Sequence, residues 1–172
     1  DVVLYGYYKK PVNSIEISGG ELTVDIGGEK VRVEVIIDPP DATFKDVIYE
    51  SGDESIVTVD KDGYLEPVGV GTTTITITSV DDPTKTDTVN VTVKIPVTDI
   101  TVDKTKIDLN KGDTDKITVT EVKPAEATNK EVTYESSDES VVKVDENGNI
   151  IAVGDGTATI TVTSKDNKTK GR

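Results

Sequence analysis

The acidic side chains are the residues that could do chemistry here, because the sequence holds no histidine and no cysteine. Nucleophilic catalysis would then require a Ser-Lys pair, and glycosidase-type catalysis two carboxylates converging in one cleft. The best-placed acids, Asp53-Glu54 and Asp138-Glu139, stand 85 positions apart in matching surroundings. That makes them equivalent turns of a repeat rather than a catalytic pair, so no catalytic residue is assigned. Disulfides and the usual zinc sites are excluded outright. Asp60-Lys61-Asp62-Gly63 and Asp145-Glu146-Asn147-Gly148-Asn149 faintly resemble calcium loops, but neither has the long loop and distal glutamate of an EF-hand. They read as hairpin turns. Calcium held by Asp81, Asp82, Asp99 or Asp103 between the repeats is the alternative, and little effect of calcium is expected. No cofactor and no metal are predicted. Asn90-Val91-Thr92 and Asn167-Lys168-Thr169 fit the glycosylation pattern and read as chance matches.

A formal charge of −14 argues against nucleic acid, which repels an acidic surface. No apolar run approaches the roughly 18 residues of a membrane span. With neither a signal peptide nor an initiating methionine, the sequence is expected to be a mature or excised segment. Valine, isoleucine and threonine dominate, tryptophan and methionine are absent, and phenylalanine occurs once. This is a β composition with a small-residue core, and almost no helix is expected.

The elements that carry these turns come from a tandem repeat. Val68-Gly69-Val70-Gly71-Thr72 through Ser79 recurs as Val153-Gly154-Asp155-Gly156-Thr157 through Ser164, and the offset holds without a gap from Pro11 and Pro96 onward. In each copy two glycines relax a turn, and β-branched residues then alternate, Ile75 and Ile77 against Thr74, Thr76 and Thr78. Such alternation reads as a strand with one buried face. Val31, Val33, Val35 and Ile37 keep the same period until Pro39 ends the pairing. Seven or so short strands per repeat, parted by turns, indicate two antiparallel β-sandwiches in an all-β chain. The boundaries are residues 1–10 for an N-terminal strand, 11–95 for repeat one and 96–172 for repeat two. In repeat two Ile117 and Val119 fall one residue out of phase, while Val122 and Pro124 return to phase. An extra residue near Thr120-Glu121, hence a β-bulge, is predicted there and not in repeat one.

Tyr134-Glu135-Ser136-Ser137-Asp138-Glu139-Ser140, then Gly148, then Ala152-Val153-Gly154-Asp155-Gly156-Thr157-Ala158-Thr159-Ile160, resembles the bacterial immunoglobulin-like domain of group 2. Repeat one carries a close version, and both repeats show a proline followed by Ala-Thr, at Pro39 with Ala42-Thr43 and Pro124 with Ala127-Thr128. Tyr49 and Tyr134 stand where many members have tryptophan. The resemblance implies two tandem immunoglobulin-like sandwiches and a non-enzymatic module of bacterial surface adhesins, cell-wall proteins or phage tail and capsid decorations. It implies an extracellular place, on a cell or a virion, and names no ligand.

Asp1–Lys10 aligns at the same offset with Thr86–Ile95, whose Val89, Val91 and Val93 alternate. The sequence thus opens with the last strand of a repeat, while repeat two reaches Arg172 before any counterpart of Thr88–Val93. Lys9-Lys10-Pro11 is too short to return this strand to its own repeat two. The expectation is head-to-tail strand addition between copies, with Val2, Leu4, Tyr5, Tyr7 and Tyr8 of one copy meeting Ile160 and Val162 of the next. A joint of that type propagates into a filament. The alternative is that both ends were cut arbitrarily: Arg172 suits a trypsin-like cleavage that would open the site, and a laboratory digest equally well. The competing reading is a ligand-binding adhesin fragment or phage decoration that contacts a cell-surface receptor or glycan, with the tyrosines as a stacking patch.

Overall fold

The computed structural model describes residue 6 and residues 8–166. The chain divides into two compact units, Asp1–Lys94 and Ile95–Arg172. Among the described residues there is no helix, and so none long and apolar enough to cross a membrane.

Among its described residues unit one holds nine strands: β1 (Ser14–Ile17), β2 (Leu22–Asp25), β3 (Val31–Arg32), β4 (Val35–Asp38), β5 (Val47–Ser51), β6 (Val57–Val59), β7 (Tyr64–Pro67), β8 (Gly71–Ser79) and β9 (Thr86–Lys94). One sheet has the order β2-β9-β8-β5; the other face is made by the β1-β4 pair and by β3-β7-β6. Both faces send alternate residues into one core containing Ile15, Val24, Leu65, Ile75, Ile77 and Val91. The period-two pattern explains this on β8, where Ile75 and Ile77 are fully buried and Thr74, Thr76 and Thr78 lie half-buried on the other face. One pair departs from the all-antiparallel expectation, because β2 runs parallel to β9. Strand β9 is therefore central: it joins β8 on one side and β2 on the other.

Unit two holds β10 (Asp99–Val102), β11 (Thr114–Lys116), β12 (Val119–Lys123), β13 (Val132–Ser136), β14 (Val142–Val144), β15 (Asn149–Ala152) and β16 (Ile160–Ser164). They pair as β10-β12, β11-β15-β14 and β13-β16 around a second core with Ile100, Ile117, Ile150 and Val162.

The predicted bulge is present. The β1-β4 ladder runs unbroken from Ser14↔Asp38 to Ile17↔Val35, whereas the β10-β12 ladder jumps from Thr101↔Glu121 to Val102↔Val119 and leaves Thr120 unpaired. Its cause lies upstream. Val31 faces Leu65 in unit one and Asp115 faces Ile150 in unit two, so the turn after Gly112 is one residue shorter than the turn after Gly27. The bulge restores the phase, and Val122 meets Ile100 as Ile37 meets Ile15.

The N-terminal strand expected over residues 1–10 lies mainly outside the described residues. Its described part, Gly6 and Tyr8–Lys10, is not in a strand.

Candidate functional site

The acidic turns are filled by their own loops. Asp53 Oδ1 accepts the Ser55 amide at 2.9 Å and hydroxyl at 2.6 Å, and Asp138 accepts the same pair from Ser140 at 2.9 and 2.6 Å. The serine hydroxyl chiefly, with its amide, holds both carboxyls below the usual carboxylate range. Asp60 Oδ1 takes the amides of Asp62 and Tyr64, both at 2.9 Å, and Asp145 Oδ1 those of Asn147 and Asn149 at the same distances. These oxygens close hairpin turns. Asp81 pairs with Lys9 and accepts the Val12 amide, Asp82 accepts from Thr84, and Asp103 accepts the Thr118 amide at 2.9 Å. Among the described residues no three acids group in a way that could hold a metal ion.

Glycine at the hairpin turns is required by packing as well as by conformation. Gly63 and Gly148 have φ of 84° and 80°, and a Cβ on either would meet the Tyr49 or Tyr134 ring at 2.8 and 3.0 Å. The two tyrosines thus lie over the turns and pack against the two cores.

A groove in unit two has the capacity to bind. It has a volume of about 490 Å³ and runs between the segment 104–109 and residues 156–160, with Ile117, Val142 and Ile150 at its floor. Unit one shows what fills the same space. There β9 lies between β2 and β8 and supplies Val89, Val91 and Val93, which are 7%, 0% and 1% exposed. Leu22 and Val24 of β2 correspond to Ile107 and Leu109, and Gly71–Ile75 of β8 to Gly156–Ile160.

Among the described residues no strand takes that place in unit two, and regular structure is missing in two stretches beside it. Among the described residues β2 pairs with β9 alone, and residues 107–110 form no strand. Residues 71–74 of β8 pair only with β9, and residues 156–159 likewise form none, so β16 begins at Ile160 and pairs with β13 alone among the described residues. Burial follows: Val24, Val57 and Ile75 are closed off in unit one, while Leu109, Val142 and Ile160 remain half-buried.

Of the sequence-predicted interface residues, Ile160 borders the groove and Val162 is already buried in the core facing Tyr134. Tyr8 is 85% exposed. Val2, Leu4, Tyr5 and Tyr7 lie outside the described residues, as does Asn167 of the second glycosylation pattern. Sequence reading missed Ile107 and Leu109; their alternation, matching Leu22 and Val24, was the available signal.

It also missed a threshold into each unit. In unit one the Lys10 amide donates to Thr43 Oγ1 at 2.8 Å, the Thr43 amide donates to the Lys10 carbonyl at 2.9 Å, and the Val12 amide reaches Asp81 Oδ2 at 3.3 Å. In unit two the same bonds join Ile95 with Thr128, at 2.8 and 2.9 Å, and Val97 with Asp166 at 3.2 Å.

The profile of the bacterial Ig-like domain (group 2) family matches residues 11–89 and 96–171. Among curated proteins the chain is 33% identical over 133 residues to an uncharacterized protein of Clostridium acetobutylicum, covering 77% of the chain and 14% of that protein. It is 30% identical over 174 residues to an Ig-like virion protein of Serratia phage KSP90, covering 98% of the chain and 67% of that protein. Among solved structures, the C-terminal fragment of intimin in complex with the intimin-binding domain of its translocated receptor aligns over 93% of the chain and 61% of the fragment. There the identity is 16% and the TM-score 0.48.

Proposed function

The chain belongs to the bacterial Ig-like domain (group 2) family through both of its repeats, and from that premise we propose a non-catalytic structural module displayed on a cell or virion surface that joins copies head to tail by β-strand addition. The observation that supports this reading is the open groove of unit two, shaped like the bed that β9 occupies in unit one. A groove edged by backbone that forms no ladder among the described residues, over half-buried core residues, invites a further strand. Residues 1–9, aligned in sequence with β9, are the segment we assign to it. Backbone hydrogen bonds along both sides would give the joint strength, and a head-to-tail joint propagates rather than closes.

The phage relative favours a second reading, in which the module decorates a virion and the surface it presents meets a cell-surface receptor or glycan. Removing residues 1–8 separates the two. Under strand addition the truncated chain stays folded and forms no polymers by light scattering and electron microscopy, while the full chain does. Normal polymers from the truncated chain, or a unit two closed by residues downstream of Asp166 in the same molecule, would overturn the proposal.

A further inference from the structure

Each unit carries a hollow on the outer face of its three-stranded sheet, at the same place in the repeat, and in unit one an exposed aromatic ring borders it. We infer that this face of β6 and β7 binds one uncharged sugar ring of a glycan, with Tyr64 as the stacking platform. The inference is independent of strand addition; it rests on the glycan-contacting reading and gives it a place and a ligand class.

The site follows from register. Val59 faces Leu65, which is closed into the core, and Thr58 faces Glu66. Because neighbours along a strand point to opposite faces, Thr58, Tyr64 and Glu66 turn away from the core together. With Lys30 ahead of β3 and Asp60 just after β6, they border a hollow of about 240 Å³. In unit two the hollow bordered by Lys143, Asp145, Asn149 and Ile151 is the same place moved by 85 positions, and it is wider, at about 640 Å³. Its recurrence marks the hollow as a product of the fold, while the side chains around it differ. Unit one has a tyrosine where unit two has an asparagine.

The ring is set before any ligand arrives. Arg32 faces Tyr64 across the β3-β7 ladder, and its guanidinium lies over the ring, 5.7 Å from the centroid. Arg32 is itself fixed, since its Nε donates to the Asp62 carbonyl at 2.8 Å and its guanidinium pairs with Glu34 at 3.5 Å. One face of the ring is thus taken. Arg32 does not border the hollow and Tyr64 does, so the free face of the ring is the one turned to it. Tyr64 is 42% exposed, unlike Tyr49, which packs on the core. A platform held in place loses little freedom on binding.

A sugar ring has an apolar face of C–H groups and a rim of hydroxyls. The face suits the tyrosine ring; the rim suits acceptors on Asp60 and Glu66 and donors on Lys30 and Thr58. Asp60 spends Oδ1 on the amides of Asp62 and Tyr64, which ties the platform to the turn and leaves Oδ2 to accept from a hydroxyl. Charge decides between sugar classes. On this surface Glu34, Asp60, Asp62 and Glu66 face only Lys30, Arg32 and Lys61, and Lys61 is paired with Asp62 at 2.8 Å. An acidic sugar would meet that excess of carboxylates on a chain of formal charge −14, so an uncharged one is favoured.

The test is a nuclear magnetic resonance titration of the isotopically labelled full chain with methyl glucoside, methyl galactoside, N-acetylglucosamine and glucuronic acid, each added separately. At least one of the three uncharged sugars is expected to shift the amides of Thr58, Asp60, Tyr64 and Glu66, and glucuronic acid to leave them in place. Tyr64→Phe keeps the ring and should keep the affinity, whereas Tyr64→Asn, the residue unit two has there, should weaken binding by about tenfold or more. Circular dichroism of both variants verifies that they are folded. Equal affinity in the folded Tyr64→Asn chain, or tighter binding of glucuronic acid, would overturn the proposal. Shifts confined to another part of the chain would overturn this site and leave the glycan-contacting reading standing; no shift anywhere with any of the sugars would count against both.

Discussion

At the scale of single residues, the two repeats place identical demands on identical positions, and this makes costs foreseeable. Gly148 has φ of 80° and sits where an added Cβ would lie 2.4 Å from the Ile117 carbonyl oxygen, whereas Gly19, at φ 92°, has open space. Left-handed backbone alone costs a non-glycine residue roughly 1–2 kcal/mol. Gly19→Ala is therefore expected to cost about 1 kcal/mol, and Gly148→Ala upward of about 2 kcal/mol because backbone must also move. Urea denaturation of the two variants checks the order. The positive φ at Gly63 was legible from its Asp-rich turn; the tyrosine ring above it was not, because packing across a sandwich leaves no local mark. The acidic turns predict a pH dependence. Asp53, Asp60, Asp138 and Asp145 all titrate below the ordinary carboxylate value in the folded chain, through hydrogen bonds donated by serine, backbone amides and Asn149. A folded value below the unfolded one means full stabilisation above about pH 4, lost as pH falls from there through the folded values. The melting temperature is expected to stay level from pH 7 to about pH 5 and to fall below about pH 4. Asp138→Ala should make that acid decline shallower for unit two, as scanning calorimetry across pH would show.

At the scale of elements, the sequence pattern was most legible where one strand face is buried and least legible where a strand depends on a distant partner. The alternation of Ile75 and Ile77, and the slip at Ile117 and Val119, were enough to place β8 and the bulge of β12, because a register error moves every side chain to the wrong face. The parallel pairing of β2 with β9 was not foreseen. Its four residues carry no signal of direction, and only the path of the chain decides it. Nor was it foreseen that Ile107 and Leu109 would stay outside any strand although their pattern copies Leu22 and Val24. Local propensity is the same in both copies; the neighbour differs. The compensation between the short turn after Gly112 and the bulge at Thr120 gives the prediction at this scale. Deleting Thr120 alone should pull either Ile117 or Val122 out of the core and lower the melting temperature of unit two, leaving unit one unchanged. Inserting one residue beside Asp113 in the same chain should restore much of it, since the deletion then recreates the unbroken ladder of β1 and β4. Failure of the insertion to rescue would show that the bulge serves something other than register. Hydrogen exchange of the Ile100 and Val102 amides would report the ladder directly.

At the scale of the whole molecule, the two units share a sequence pattern, but among the described residues only unit one has a strand in the place of β9, and their stabilities should separate. Unit one closes its core with β9, placing Val91 and Val93 at 0% and 1% exposure. Unit two leaves Leu109, Val142 and Ile160 half-buried around a groove of about 490 Å³. A nine-residue strand hydrogen-bonded on both sides gives unit one apolar burial and a double ladder, on the order of several kcal/mol against a domain margin of only about 5–15 kcal/mol. Heating the isolated chain should accordingly give two transitions, with unit two unfolding first. Val141→Ala should move only the lower transition, and Val91→Ala only the upper one. Filling the groove must then raise the lower transition and spare the upper, because a ligand stabilises the unit it binds by mass action. A peptide of residues 1–9 is expected to do so in proportion to the logarithm of its concentration, by about 2.7 kcal/mol at a hundredfold excess over its dissociation constant. The same peptide with Leu4→Asp and Tyr8→Asp should have no effect, since both charges would enter the apolar floor. Raising the concentration of the full-length chain should reproduce the peptide's shift, and removing residues 1–8 should abolish that dependence. A single transition insensitive to peptide and concentration would mean that unit two is closed within its own chain, and the groove would then have no part in joining copies.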